Sequence, residues 1–151
     1  MSDFEVPAAL SSSLADMRVR YVPDPLQEHR MAPSPWDQFG QWLDEAKAAG
    51  LVEPNAMVLS TVGSRGRPTS RHVLLKELDD RGFVFYTNLR SRKAVQISEQ
   101  PHVALCFPWF AMARQVCVDG SVEQVDRATA AAYWAVRPRE SQLGAWASDQ
   151  S

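Results

Sequence analysis

The sequence predicts a mainly β domain, an antiparallel barrel with peripheral helices, on three observations. Strand-like runs outnumber helical ones between residues 57 and 123, and most of them are joined by tight turns. The helical stretches come at irregular intervals, unlike the regular strand-helix alternation of a parallel doubly wound sheet. With 151 residues, 45% of them hydrophobic, the chain is long enough for one domain with one core.

Residues 1–33 carry Ser11, Ser12 and Ser13, several prolines and no hydrophobic period, and read as a mobile or extended arm. The domain proper is expected over residues 34–151. Ser34 has the chemistry of an N-cap, with Pro35 at the first helical position and Asp37 three residues after the cap. Trp36, Phe39, Leu43 and Ala46 follow at helical spacing, and Gly50 closes the helix.

After Pro54 and Asn55 the period changes. Residues 57–62, 69–78 and 83–87 predict three consecutive antiparallel strands, turning at residues 63–66 and 79–82. Ser91 predicts the N-cap of a short helix that must stop by Gln100, because Pro101 disfavours helix in the residue before it. Strands are expected again over residues 103–107 and 114–123, the second with Val116, Val118 and Val122 on a two-residue period interrupted at Gly120, and Asp126 caps an Ala-rich helix to about Val136. Residues 137–151 are polar and aromatic without an amphipathic period and read as part of a site.

Charge is distributed unevenly. The net charge is −2, yet residues 65–93 hold eight basic side chains against three acids, an anion-attracting segment on an acidic body. That balance argues against a nucleic-acid binder working through bulk charge. The two cysteines, Cys106 and Cys117, are expected to be buried free thiols, not a disulfide framework or a metal knuckle. His29, His72 and His102 are scattered without ligand spacing, so no metal site is expected. No basic leader precedes an apolar run and no apolar stretch reaches spanning length, so a cytoplasmic protein with no membrane partner is expected.

The hydrolase, dinucleotide and P-loop signatures are absent, leaving anion binding and a cofactor that brings its own reactivity. Ser91, Arg92 and Lys93 at a helix start combine open N–H groups, the positive dipole end and two cations, a set suited to phosphate. Arg71 is suited to clamp a phosphate bidentately and Lys76 to add a point charge. Five positions apart on a regular strand they would point to opposite faces, so sharing one pocket requires a bulge or a strand end. Tyr133 and Arg137 can share a helix face, with ordinary core packing the alternative for Tyr133. Gln115 projects away from the face of Val116 and Val118.

These strings, taken in order, resemble the pyridoxamine 5'-phosphate oxidases. The pieces are Met17, Arg18, Val19, Arg20 and Tyr21; Glu53 with residues 54–57; residues 71–76; Phe85, Tyr86, Thr87 and Asn88; Ser91, Arg92 and Lys93; Arg114, Gln115 and Val116; and the closing string from Arg137. The resemblance implies an FMN-binding split β-barrel, a homodimer with FMN at the subunit interface, and oxidation of pyridoxamine or pyridoxine 5'-phosphate by dioxygen to pyridoxal 5'-phosphate and hydrogen peroxide.

Carried over by position, the resemblance implies FMN contacts at Arg71, His72, Val73, Leu74, Leu75, Lys76, Tyr86, Thr87, Arg92, Lys93, Gln115, Gln150 and Ser151. It implies substrate contacts at Lys76, Tyr133, Arg137 and Ser141, with Arg18 and Tyr21 in a mobile cover, and no catalytic acid-base residue. The family's C-terminal part, with a tryptophan and an Arg-x-His element, has no counterpart after Ser151, so a shortened form is expected. Two alternatives stay open: a related split-barrel enzyme with another substrate, such as a phenazine-type precursor, or a deazaflavin; and a non-catalytic ligand-binding fragment.

Overall fold

The structure is a computed structural model that describes residues 26–147 together with Leu14, Asp16 and Met17. Arg18, Tyr21, Gln150 and Ser151 lie outside the described residues. The chain divides into two units, Met1–Met31 and Ala32–Ser151. In the first, Leu14 and Asp16 are helical and Glu28–Arg30 form a 3-10 turn.

The second unit begins with helix α1, Pro35–Ala48. The Ser34 hydroxyl accepts the Asp37 N–H at 3.1 Å, and Gly50 takes the positive φ that follows a helix end. Strands β1 (Ala56–Val62) and β2 (Pro68–Leu74) form a hairpin. Strands β3 (Glu77–Asp79) and β4 (Gly82–Val84) form a separate two-stranded sheet. Helix α2 spans Arg92–Glu99, and strands β5 (His102–Trp109) and β6 (Arg114–Ser121) are joined by the 3-10 turn Phe110–Met112. Helices α3 (Arg127–Val136) and α4 (Arg139–Ala147) follow. The main sheet is antiparallel throughout, in the order β2-β1-β5-β6. The class is therefore the antiparallel split barrel with peripheral helices that the sequence predicts.

Three expectations are corrected. The run over residues 69–78 is two strands, because Asn55 ends the first: its backbone carbonyl accepts the Leu75 N–H and its side-chain amide donates to the Leu75 carbonyl, both at 2.9 Å. Lys76 then donates its N–H to the Val84 carbonyl, so β3 and β4 pair with each other outside the main sheet, and strand geometry ends at Val84. Strand β6 runs through Gly120, which pairs with Val103, and ends at Ser121, two residues short of the expected end. Residues 139–147 are helical: Pro138, which lacks an N–H that a helix start leaves unbonded anyway, supplies the carbonyl that accepts the Gln142 N–H.

Register assigns the two faces of the sheet. Leu59 pairs with Arg71 on one side and Leu105 on the other, and Leu105 with Val118, so these four share the inner face. Met57, Leu59, Leu105, Phe107 and Trp109 are buried there beneath Phe39 and Ala46 of α1. The Phe39 ring lies 4.9 Å from Phe107, 5.1 Å from Phe83 and 5.7 Å from Trp109, tying helix, main sheet and small sheet into one aromatic cluster. The outer face carries His72, Val58, Cys106 and Cys117 in one row. Both cysteines are free, but Cys117 is exposed and Cys106 half-buried, which corrects the expectation of two buried thiols. Burial, then the thiol of Cys117 beside it, raises the Cys106 pKa.

Candidate functional site

The most unusual polar feature lies on the inner face at the sheet edge. Arg71 reaches inward beside β1, where Nη1 donates to the Leu59 carbonyl at 3.0 Å and to Thr61 Oγ1 at 2.8 Å. Nη2 donates to Thr69 Oγ1 at 2.6 Å and, more weakly, to Gln96 Oε1 at 3.5 Å. All four Nη hydrogens are thus spent inside the protein. In this conformation the guanidinium is anchored to β1, β2 and α2, and its Nε–H is the one hydrogen outside these bonds.

Arg92 and Lys93 stand at the start of α2, within electrostatic reach of Arg71. Burial and then Arg92 lower the Arg71 pKa, while burial and then Arg71 hold the Lys93 ammonium below the ordinary lysine range. Among the described residues the ion pairs are Lys47 with Asp44, Arg81 with Asp79 and Arg114 with Glu45, so no carboxylate is paired with this cluster. Like charges gathered without a counter-ion raise the free energy of the empty site and lower that of a site holding an anion. Ser91 is fully buried, and its hydroxyl caps Ala94 N–H at 3.4 Å while lying 3.4 Å from Thr87 Oγ1. The first N–H groups of α2 remain available beside the two cations.

A phosphate monoester is therefore expected to bind with a bell-shaped pH dependence. Affinity rises as the ester loses its second proton near pH ~6. It falls in the alkaline range as Lys93 deprotonates, earlier than an ordinary lysine near ~10.4 would. Calorimetric titration with phenyl phosphate checks this, and Lys93→Arg, which stays charged, should remove the alkaline limb.

A second cluster forms around Tyr133. Its ring stacks on Tyr86 with centroids 3.7 Å apart and planes 4° from parallel, outside the hydrophobic core. Burial, followed by Glu77, raises the Tyr86 hydroxyl pKa. Helix α3 stops at Val136; Arg137 is its C-cap, with its guanidinium carbon 5.9 Å from the Tyr133 ring centre and 5.4 Å from that of Trp134. Arg137 Nη2 donates to the Ser141 carbonyl at 3.3 Å, and Gln142 Nε2 donates to the Trp134 and Arg137 carbonyls at 3.0 Å. Tyr133, Arg137 and Ser141 are thus brought together across a helix break and not along one helix.

The break after Leu74 answers the facing difficulty of Arg71 and Lys76. Arg71 faces inward within β2, whereas Lys76 lies exposed beyond the break, at the start of the small sheet. Val73 shares the inner face with Arg71, Leu75 is buried, and His72 and Leu74 belong to the outer face. Gln115 is exposed on the outer face, away from the valines, as expected. It therefore stands on the opposite side of the sheet from Arg71. Sequence reasoning missed Asn55 as the residue that ends β2, and Thr61, Thr69 and Gln96 as the partners of Arg71. The signal available was the expected hairpin turn at residues 63–66, which brings Thr61 to within one position of Thr69; the observed register, Val62 with Pro68, pairs the two directly.

A family model described as pyridoxamine 5'-phosphate oxidase matches residues 43–151. The chain belongs to this family. It is 55% identical over 139 residues to the pyridoxine/pyridoxamine 5'-phosphate oxidase of Synechocystis sp., a match that covers 92% of this chain and 65% of that protein. The protein of the same name from Cupriavidus necator is 51% identical over 140 residues, covering 93% and 66% respectively. The chain spans just under two thirds of the length of these curated relatives. Among solved structures it is similar to PhzG from Burkholderia lata 383, in complex with tetrahydrophenazine-1-carboxylic acid. The TM-score is 0.80 at 27% identity, over 85% of this chain and 65% of that one. A pyridoxamine 5'-phosphate oxidase-related, FMN-binding protein from Nostoc punctiforme shares the fold, with a TM-score of 0.60 at 24% identity over 75% of this chain and 63% of that one. No helix among the described residues is long and apolar enough to cross a membrane.

Proposed function

We propose that this chain is an FMN-dependent oxidase that converts pyridoxamine or pyridoxine 5'-phosphate to pyridoxal 5'-phosphate, with dioxygen reduced to hydrogen peroxide. The observation that carries the reading is the group Arg71, Arg92 and Lys93, three cations without a paired carboxylate around the open N–H groups of α2. That donor set fits the phosphate of FMN. Arg92 and Lys93 would contact it directly and Arg71 would hold the field, with Thr87 and Tyr86 along the same segment. Bound FMN supplies a two-electron acceptor that dioxygen can reoxidise.

The residues around Tyr133 form the other half of the reading. Arg137 and Ser141 hold the substrate phosphate, Lys76 adds charge, and Tyr86 stacked on Tyr133 joins the two anion sites through one segment. With both phosphates anchored, the reacting carbon is oriented against the flavin, which is the main service the protein performs. Gln115 faces away from Arg71, so both can serve one flavin if Gln115 comes from a second copy, which supports a homodimer with FMN at its interface. His72, Val73, Leu74 and Leu75 would contribute through the strand that carries Arg71, and Gln150 and Ser151 from the closing string. Arg18 and Tyr21 would cover the pocket, and the reaction belongs in the cytoplasm.

Purified chain supplied with FMN, oxygen and either phosphorylated vitamer should release pyridoxal 5'-phosphate and peroxide; absence of both products with both substrates would refute the proposal. Arg137→Ala should raise KM for the phosphorylated substrate roughly ten- to hundredfold, the loss of one charge-assisted contact, while FMN affinity stays unchanged. Steady-state kinetics with a parallel FMN titration measures both. A second reading, a phenazine-type precursor as substrate, draws on the similarity to PhzG. The higher identity to the vitamin oxidases and the Tyr133, Arg137 and Ser141 set favour the first. Assaying a dihydrophenazine carboxylate beside the two vitamers separates them.

A further inference from the structure

We infer that Gln96 is a positioning residue for the flavin phosphate site, acting through Arg71, and that the site requires a neutral acceptor at this position. The inference rests on the FMN reading above and adds a residue to it. Gln96 is buried on α2, and its Oε1 accepts from Thr61 Oγ1 at 2.7 Å and from Thr69 Oγ1 at 2.8 Å. The direction of this network is fixed. Arginine can only donate, so Thr61 and Thr69 must accept from Arg71 and must pass their own hydrogens onward. Their short onward contacts both run to Gln96 Oε1, against 3.4 Å between the two hydroxyls, so the Gln96 amide turns its oxygen toward them.

The amide nitrogen is correspondingly held on the side of Gly63, where an added Cβ would lie 3.1 Å from Nε2. No buried side-chain nitrogen or oxygen among the described residues lacks a partner, so the network is complete with these four side chains and the Leu59 carbonyl. A carboxylate would accept the same two hydrogen bonds in nearly the same shape, yet glutamine is present. The difference between the two is one negative charge beside Arg71, which would neutralise the field that Arg92 and Lys93 share with it. A glutamine fixes the guanidinium without cancelling its charge.

Gln96→Glu tests this in the full chain, with FMN and riboflavin titrated by calorimetry and Tm recorded without ligand. The expected result is a Tm equal to or above that of the unsubstituted chain, FMN affinity lower by roughly tenfold or more, and riboflavin affinity unchanged. Equal FMN affinity in the two chains, or an equal loss for FMN and riboflavin, would overturn the inference and leave the flavin reading standing. Should Gln96→Glu fail to fold, Thr69→Val removes one of the two relays without adding charge; it should weaken FMN more than riboflavin, and a uniform effect on both counts against the role. An unsubstituted chain that binds neither FMN nor inorganic phosphate defeats the underlying reading and this inference with it.

Discussion

Lys93→Met is expected to weaken FMN binding roughly ten- to hundredfold while leaving the ligand-free protein at least as stable. The loss follows from removing one charge-assisted contact to phosphate, worth about 1.5–3 kcal/mol. The stability result follows from the sign of the Lys93 shift. Its pKa in the fold is lowered, by burial first and by Arg71 second, so folding penalises the charged form. That penalty is fully present below the folded pKa and disappears as pH rises past the unfolded one, so at neutral pH the folded chain carries it. Methionine keeps the apolar stem without the charge. Calorimetric FMN titration with thermal melts at pH 7 measures both effects; a lowered Tm with unchanged FMN affinity would mean that Lys93 is a structural residue.

Phe39→Ala is expected to have the largest effect on stability, about 3–5 kcal/mol, the usual cost of emptying a buried phenylalanine site. Phe39 is 3% exposed, and its ring meets Phe83, Phe107 and Trp109. These contacts hold β4 against the main sheet, and the segment leading from β4 carries Tyr86 and Thr87 toward Ser91. Urea denaturation should show the loss in the transition midpoint. In conditions where the variant is still folded, the Tyr86–Tyr133 stack should also loosen, which near-ultraviolet circular dichroism would register.

The parts of this fold that local chemistry dictates were legible in the sequence. Ser34, Ser91 and Asp126 each cap a helix where their spacing predicts one, since a cap needs only the N–H groups two or three residues onward. Pro101 and Gly50 mark helix ends for equally local reasons. The division of residues 69–78 was not legible, because the group that ends β2 is Asn55, 20 residues away from its partner Leu75. The only trace was the awkward spacing of Arg71 and Lys76, which required a strand end between them.

Helix α4 was hidden for another reason. Leu143 and Trp146 are both exposed, so no apolar stripe marks the segment as helical. The cationic half of the candidate site was visible as charge and type, but the internal commitment of Arg71 was not, since its acceptors come from β1, β2 and α2. Nothing local to the short helix marks Gln96 as buried; its burial follows only once α2 is laid against β1.

Titration of the purified chain with FMN and, separately, with riboflavin tests the central claim most directly, because the two ligands differ only in the phosphate. The arrangement of Arg71, Arg92 and Lys93 predicts that FMN binds at least tenfold more tightly and that raising the salt concentration narrows the gap. Equal affinity for the two ligands at low salt would contradict it.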